Sequence, residues 1–331
     1  MKNKIYLIGS SSGGHVCPIV GIYELLKNDY DIYFIGIKNQ FEEKVFPKEK
    51  TILLNIPSTY KKLINKPNNN FKYEIQRLKK MINKNDLIIS GGGFSSYIVY
   101  KLKHKLTINL EQNNIIGDSN ILLSLISKKI ISSMNIKFNP FFYKTKILPS
   151  PSIFRFKKIN SEEYKDKIIF IFGSLSSKSL INKTIKYFLS SSFCKNEKYI
   201  LFVGKFIDEY KSFNLNKNIE IKDKIDNLYE LKNAKLIFSR AGGTTISEML
   251  YLKIPFVLIP SPYVKHNHQV LNAKNVSKKH NIIYCEEKNY NFVFIKNTIE
   301  NINKYKSGIN WLNYPSLNEK YKEIIDGIFK K

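Results

Sequence analysis

The sequence predicts an α/β protein in which a parallel sheet flanked by helices is built twice. Short continuous apolar runs rich in Ile, Leu, Phe and Val recur along the chain, helix-length stretches separate most of them, and glycine-rich or polar turns directly follow several. A strand covered on both faces loses the in-out alternation of a half-exposed one, so such runs indicate parallel strands with helices on both sides. At 331 residues the chain exceeds what one core usually fills, and two domains of about 150 residues each are expected.

Taken in order, the first series of runs lies at 4–8, 31–35, 51–56, 86–90, 106–110 and 146–148, and the second at 167–172, 199–203, 235–238, 255–259 and 282–285. Two such series indicate two Rossmann-like halves. The boundary is expected at Pro149-Ser150-Pro151, where two prolines prevent a helix or central strand from continuing. The division is therefore 1–149, 150–311 and a C-terminal helix within 312–331, available to pack back on the first domain. Leu317, Tyr321, Ile324, Ile325 and Phe329 give that segment its helical spacing, with Pro315 just ahead. A further helix-like stretch, 71–82, sets Phe71, Ile75, Leu78 and Ile82 on one side within a lysine-rich rim. Such a stripe reads first as a core face and second as a peripheral membrane contact.

The formal charge is +27, and the arginines are only Arg77, Arg155 and Arg240. Lysine excess of this kind, with abundant Ile and Asn, matches the codon usage of an AT-rich genome, and no nucleic-acid-binding module accompanies it. A nucleic-acid partner is therefore not expected. Attraction to an anionic membrane surface or a phosphorylated substrate remains open, because lysine serves both as a point charge. Cys17, Cys194 and Cys285 are far apart and without metal-ligand spacing, which suits unpaired thiols in a reducing cytosol. The first apolar run is too short for a signal peptide, and nowhere do 18 apolar residues follow one another. Any membrane contact is expected to be peripheral.

The turns carry the chemistry. After the first run come Gly9-Ser10-Ser11-Ser12-Gly13-Gly14-His15, leading into a helix expected from about Pro18 to Lys27. Glycine lets the backbone approach a ligand, and a helix N-terminus favours phosphate. An imidazole at such a mouth can act as a general base. Gly91-Gly92-Gly93 and Glu111-Gln112-Asn113 follow two further runs. All three places are C-terminal strand ends, where open α/β sheets bind ligands. In the second half, Gly173-Ser174 ends one run and Arg240-Ala241-Gly242-Gly243-Thr244-Thr245 ends another, with Glu248 about one turn into the next helix. Amides and threonines there suit a diphosphate. The Glu248 carboxylate can accept from ribose hydroxyls or simply favour the positive end of its helix. Gln269 and Asn272 suit sugar hydroxyls. His266 and His268 lack a nearby third metal ligand, and Asp29-Tyr30-Asp31, though of DxD form, precedes a strand and reads as solvated loop. No metal site and no cofactor are expected.

Together these residues resemble the MurG-type family of glycosyltransferases, which adds N-acetylglucosamine to lipid-linked muramoyl-pentapeptide in peptidoglycan synthesis. The likeness runs from Ser12-Gly13-Gly14-His15 and Pro18 to Gln269 and Asn272-Ala273, and is most specific from Arg240 to Glu248 and on through Ile254-Pro255. It implies a GT-B fold, two Rossmann-like parallel-sheet domains facing a central cleft, with UDP-N-acetylglucosamine (UDP-GlcNAc) in the C-terminal half. The undecaprenyl-linked acceptor, lipid I, would occupy the N-terminal half, at the cytoplasmic face of the membrane.

By motif position, Ser12, Gly13, Gly14, Gly92 and Gly93 would face the acceptor, and His15 would be the base, with Glu111 the alternative. Asn113, Ser174, Gly243, Thr244, Thr245, Glu248 and Gln269 would hold the donor, and the Ile225 backbone would read its uracil. The chain departs from the family pattern at Ser10 and Ser11 (usually glycine), Leu110 (histidine) and His268 (glutamine), and it lacks an Asn-Pro-x-Arg near Pro151, where Arg155 falls late. Rival readings are a transferase for another lipid or polysaccharide, a nucleotide-sugar epimerase of related fold, and a non-catalytic nucleotide-sugar-binding subunit.

Overall fold

The computed structural model describes residues 4–10, 12–57, 69–156, 166–173, 177–191, 193–225 and 228–330. They form two compact units, one of residues 1–155 with 314–331 and one of 156–313.

The first unit is built on seven parallel strands, β1 (Lys4–Ile8), β2 (Asp31–Ile37), β3 (Thr51–Leu54), β4 (Leu87–Ser90), β5 (Thr107–Glu111), β6 (Lys129–Ser132) and β7 (Thr145–Ile147), in the order β3-β2-β1-β4-β5-β6-β7. Ile5 pairs with Ile32 on one side and Leu87 on the other. Ile5, Tyr6, Leu7 and Ile8 are all buried, as strands covered on both faces require. The strand order reverses between β1 and β4. That switch point is where a doubly wound sheet opens its ligand crevice, and here it brings the turn after Ile8 beside the turn after Ser90.

Helix Asn69–Met81 places Phe71, Ile75 and Leu78 in the core against β4 and helix Phe94–Leu102, with Ile82 just beyond. The apolar stripe is thus a core face, and its reading as a membrane contact falls. The C-terminal helix Leu317–Phe329 buries Leu317, Tyr321, Ile325 and Ile328. Tyr321 Oη donates to the Pro149 carbonyl at 2.9 Å. The DxD stretch is occupied structurally: Lys322 reaches Asp29 at 2.6 Å, Tyr30 Oη bonds Asp326, and Lys50 meets Asp31 at 2.9 Å.

The second unit carries β8 (Lys167–Ile171), β9 (Lys198–Phe202), β10 (Ile219–Lys222), β11 (Ala234–Ser239) and β12 (Phe256–Leu258), all parallel, in the order β10-β9-β8-β11-β12. Its switch point lies between β8 and β11. The core is aromatic, with Phe170 and Phe238 stacked at 4.7 Å across those two central strands.

Two strands escape the sequence reading. β6 is only four residues long and follows helix Asp118–Ile126 almost at once, and β10 reads Ile-Glu-Ile-Lys, alternating rather than continuous. Conversely, the run 282–285 makes a single bridge from Tyr284 to Leu258 and is no strand.

Candidate functional site

At the first switch point the helix begins at Gly13, not near Pro18, and runs to Leu26. Ser12 is its N-cap, so Gly13, Gly14 and His15 form the first turn, with Pro18 inside the helix. The sequence reading treated Pro18 as a first helical residue. Packing decides otherwise: Gly9 and Gly91 lie against the His15 carbonyl so closely that an added Cβ would stand 2.8 and 2.1 Å from it. The first turn of a helix points amides outward, an arrangement suited to anionic oxygen. Ser10, immediately upstream, is 1% exposed and its Oγ has no hydrogen-bond partner. Ser11 and Ser174 lie outside the described residues.

His15 is half-buried, with Nδ1 3.1 Å from the Gly91 carbonyl oxygen. A carbonyl only accepts, so Nδ1 carries the proton, and in the neutral form of the ring the lone pair then lies at Nε2. The same carbonyl accepts from Gln112 Nε2 at 3.1 Å. Gln112 therefore fixes the oxygen that fixes the tautomer, an assignment no local motif announces.

Gly92 and Gly93, expected on the acceptor, form the seat of the histidine ring. Their φ values are +96° and +63°, and a Cβ on Gly93 would lie 2.7 Å from His15 Nε2. Gly93→Ala is accordingly expected to displace the ring and cost about 1–3 kcal/mol in backbone strain. A transfer assay beside a thermal melt checks both effects, and a variant with unchanged turnover would refute the seat.

Beneath the turn, Ser90 Oγ meets Ser96 Oγ at 2.8 Å, Ser96 Oγ donates to Asn109 Oδ1 at 3.1 Å, and Asn109 Nδ2 donates to the Asn120 carbonyl at 3.0 Å. Such a satisfied buried network holds the glycine turn rigid.

Glu111, the alternative base, is 2% exposed. Its Oε1 accepts from the amides of Gln112 and Asn113 at 2.9 and 3.0 Å and from Asn113 Nδ2 at 3.1 Å. Its Oε2 accepts from the Gly117 amide at 2.9 Å and Asn120 Nδ2 at 2.7 Å. Five donors hold the carboxylate as the anchor of the Asn113 turn, an arrangement that suits a scaffold. Leu110, where the family pattern has histidine, is buried. Arg155 Nε donates to the Ser152 carbonyl at 3.1 Å, within the 3-10 segment Pro151–Phe156.

In the second unit, helix Gly243–Leu252 starts directly after the switch strand β11, with Gly242 as N-cap. Gly243, Thr244 and Thr245 occupy its first turn, whose amides and partial positive charge suit a phosphate. Thr244 and Glu248, four residues apart and both buried, share one face. Gln269 and Asn272 stand at the start of helix His268–His280. Gln269 Oε1 accepts from the Ser261 amide at 2.9 Å, and Asn272 Nδ2 donates to the Ala241 carbonyl at 3.1 Å. That helix start is thereby joined to the ends of β11 and β12. Ile225 lies half-buried beyond the end of edge strand β10. Among the described residues no group of three or more His, Cys, Asp or Glu is assembled to hold a metal.

Arg240 was part of the motif without a role. Its Nη1 donates to the Ile259 carbonyl at 3.1 Å and pairs with Glu287 at 2.7 Å, while Nη2 reaches Ser177 Oγ at 3.0 Å. The planar fork ties the chain after β8, β11 and β12 together, which a lysine point charge does not reproduce. Arg240→Lys is expected to weaken donor binding by roughly tenfold, about 1.4 kcal/mol. Calorimetric titration with UDP-GlcNAc checks this, and unaltered affinity would argue against the clamp.

Comparison with known proteins agrees with this architecture. The Glycosyltransferase family 28 C-terminal domain matches residues 168–324. The chain resembles the structure of Acinetobacter baumannii MurG (17% identity, TM-score 0.67, 99% of this chain and 100% of that one). It also resembles a Staphylococcus aureus MnaA–UDP co-structure (11%, TM-score 0.68, 100% and 97%). These likenesses place the fold in the GT-B class.

In sequence it is 29% identical over 314 residues, 86% of each chain, to the UDP-N-acetylglucosamine–N-acetylmuramyl-(pentapeptide) pyrophosphoryl-undecaprenol N-acetylglucosamine transferase of Halalkalibacterium halodurans. It is 30% identical over 295 residues, 82% of each chain, to the transferase of the same name from Rickettsia canadensis. With two parallel-sheet units, glycine-lined switch points and identity sustained over most of its length, the chain belongs to this family of undecaprenol-linked N-acetylglucosamine transferases.

Proposed function

We propose that the protein transfers N-acetylglucosamine from UDP-GlcNAc to lipid I, forming lipid II in peptidoglycan synthesis, with inversion at the anomeric carbon. The observation that carries the mechanism is the His15 ring, held through Nδ1 on the Gly91 carbonyl at the first switch point. Its Nε2 lone pair takes the proton of the acceptor hydroxyl as that oxygen attacks the anomeric carbon. Such a positioned base is worth about 10²–10⁴ in rate. The bond from that carbon to the UDP oxygen breaks, and the departing diphosphate meets the first-turn amides and threonines of helix Gly243–Leu252.

Ser12, Gly13 and Gly14 present the other helix N-terminus to the acceptor diphosphate. By motif position Asn113, held by Glu111, is assigned to the donor sugar, Glu248 to the ribose, Gln269 to the sugar hydroxyls, and the Ile225 backbone to the uracil. Because the acceptor is lipid-linked, the enzyme works as a peripheral protein at the cytoplasmic membrane face; no described helix is long and apolar enough to cross a membrane. Incubating purified protein with labelled UDP-GlcNAc and lipid I tests the reading through the appearance of lipid II. Intact UDP-GlcNAc binding with no transfer to any lipid acceptor would instead favour a non-catalytic binding subunit.

A further inference from the structure

Close packing commits Gly91 and Gly92 to glycine: an added Cβ would stand 2.1 Å from the His15 carbonyl oxygen on the first and 3.0 Å from His15 Nδ1 on the second. A peptide unit between two glycines meets little steric resistance to turning over, and Gly92 sits at φ +96°. Turned over, the unit would set the Gly92 amide opposite the ring in place of the Gly91 carbonyl. Nδ1 would then have to accept, the proton would sit on Nε2, and the nitrogen that takes the acceptor proton would have no lone pair.

The peptide units on either side are well fixed. The Gly91 amide donates to the Ile8 carbonyl at 2.8 Å, and Ser95 Oγ donates to the Gly92 carbonyl at 2.6 Å. The unit between them is held at its nitrogen by one long bond, from the Gly92 amide to Ser90 Oγ at 3.3 Å. Its oxygen is held by two side chains, His15 Nδ1 and Gln112 Nε2, each at 3.1 Å. Gln112 supplies its share at a loss of stability, for the side chain is 3% exposed and its Oε1 has no hydrogen-bond partner. A carboxamide oxygen buried and unmet is destabilising. An apolar side chain of similar volume would avoid that loss and leave no orphan at Gly91, whose oxygen would still accept from His15. The Gln112 amide donates to Glu111 Oε1 at 2.9 Å, so the side chain springs from the anchored Asn113 turn.

We propose that Gln112 is a positioning residue for the transfer: with His15 it forms a two-donor lock that keeps the Gly91 carbonyl turned inward and the histidine proton on Nδ1. The selection follows from the number of hydrogen bonds each arrangement allows. A carbonyl oxygen has two lone pairs and serves both donors, whereas a turned-in amide has one hydrogen and could serve only one of two acceptors. The inward carbonyl is thus favoured by one hydrogen bond wherever a second polar group shares that point. The proposal rests on the reading of His15 as the base.

The test compares Gln112→Met and Gln112→Leu, apolar side chains of similar size, with wild type in the full chain. Their melting midpoints should equal or exceed that of wild type. Transfer kcat should fall roughly threefold, the effect of one hydrogen bond on the tautomer ratio, while KM for UDP-GlcNAc and for lipid I stays the same. Long-range proton–nitrogen correlation spectra of protein labelled at its histidine nitrogens read which ring nitrogen carries the proton, with the His15 signals identified by their loss in His15→Gln. At a pH where the ring is neutral, wild type should show the proton on Nδ1. The variants should show a mixture with Nε2, and kcat should fall in step with the Nδ1-protonated fraction. Wild-type kcat and tautomer in a folded variant would overturn the proposal, as would a proton on Nε2 in wild type. A loss of stability in both variants, or failure of both to fold, would assign Gln112 a structural role and overturn it equally. Full-rate transfer by His15→Ala would remove the base reading, while the spectra would still decide whether Gln112 sets the tautomer.

Discussion

Replacing His15 with alanine is expected to slow transfer of N-acetylglucosamine by about 10²–10⁴-fold while leaving UDP-GlcNAc affinity within a factor of about two. That factor is about 0.4 kcal/mol. Apart from Asn113, the residues assigned to the donor belong to the second unit and the ring to the first, so removing the imidazole takes away the proton acceptor and leaves those donor contacts in place. Steady-state rates with lipid I, set beside calorimetric titration of UDP-GlcNAc, separate the two effects. A melting curve controls for the space left between the ring and its glycine seat. Undiminished transfer by a folded His15→Ala protein would remove the histidine from the mechanism.

The second large effect concerns stability. Glu111→Ala is expected to destabilise the first unit by about 3–5 kcal/mol, because it strands donors that a buried carboxylate now satisfies. Glu111→Gln retains one acceptor oxygen and should cost about 1–3 kcal/mol. Denaturant titration reads both. A base and an anchor predict different patterns: if Glu111 took the proton, the glutamine variant would melt like wild type and lack activity. A loss of stability graded from glutamine to alanine is the mark of an anchor.

Much of this was legible in the sequence where the signal is local. Continuous apolar runs located ten of the twelve strands among the described residues, and glycine turns after them located both switch points. What stayed hidden depends on partners far along the chain. His15 finds its hydrogen-bond acceptor at Gly91, 76 residues away, and Arg240 finds Glu287 at a separation of 47. Glu111 was named only as the alternative base, and the five donors that converge on it come from residues that no local motif singles out together. The helix start at Gly13 was missed because glycines read as a turn, whereas close packing against Gly9 and Gly91 draws them into the first helical turn.

The helix that begins at Gly13 has a second point of close approach, at its middle. A Cβ on Gly21 would stand 1.9 Å from the Pro151 carbonyl oxygen and 2.9 Å from the Ser152 Cα. Backbone touches backbone there, so no side-chain rearrangement could make room. The segment that leaves the first sheet after β7 is thus clamped against the shaft of the same helix that presents His15 at its tip. The backbone of Pro151 and Ser152 is thus a fixed fulcrum under the helix, about two turns from the imidazole. Composition elsewhere in the chain is free to drift toward lysine, isoleucine and asparagine; at this fulcrum the alphabet has one letter.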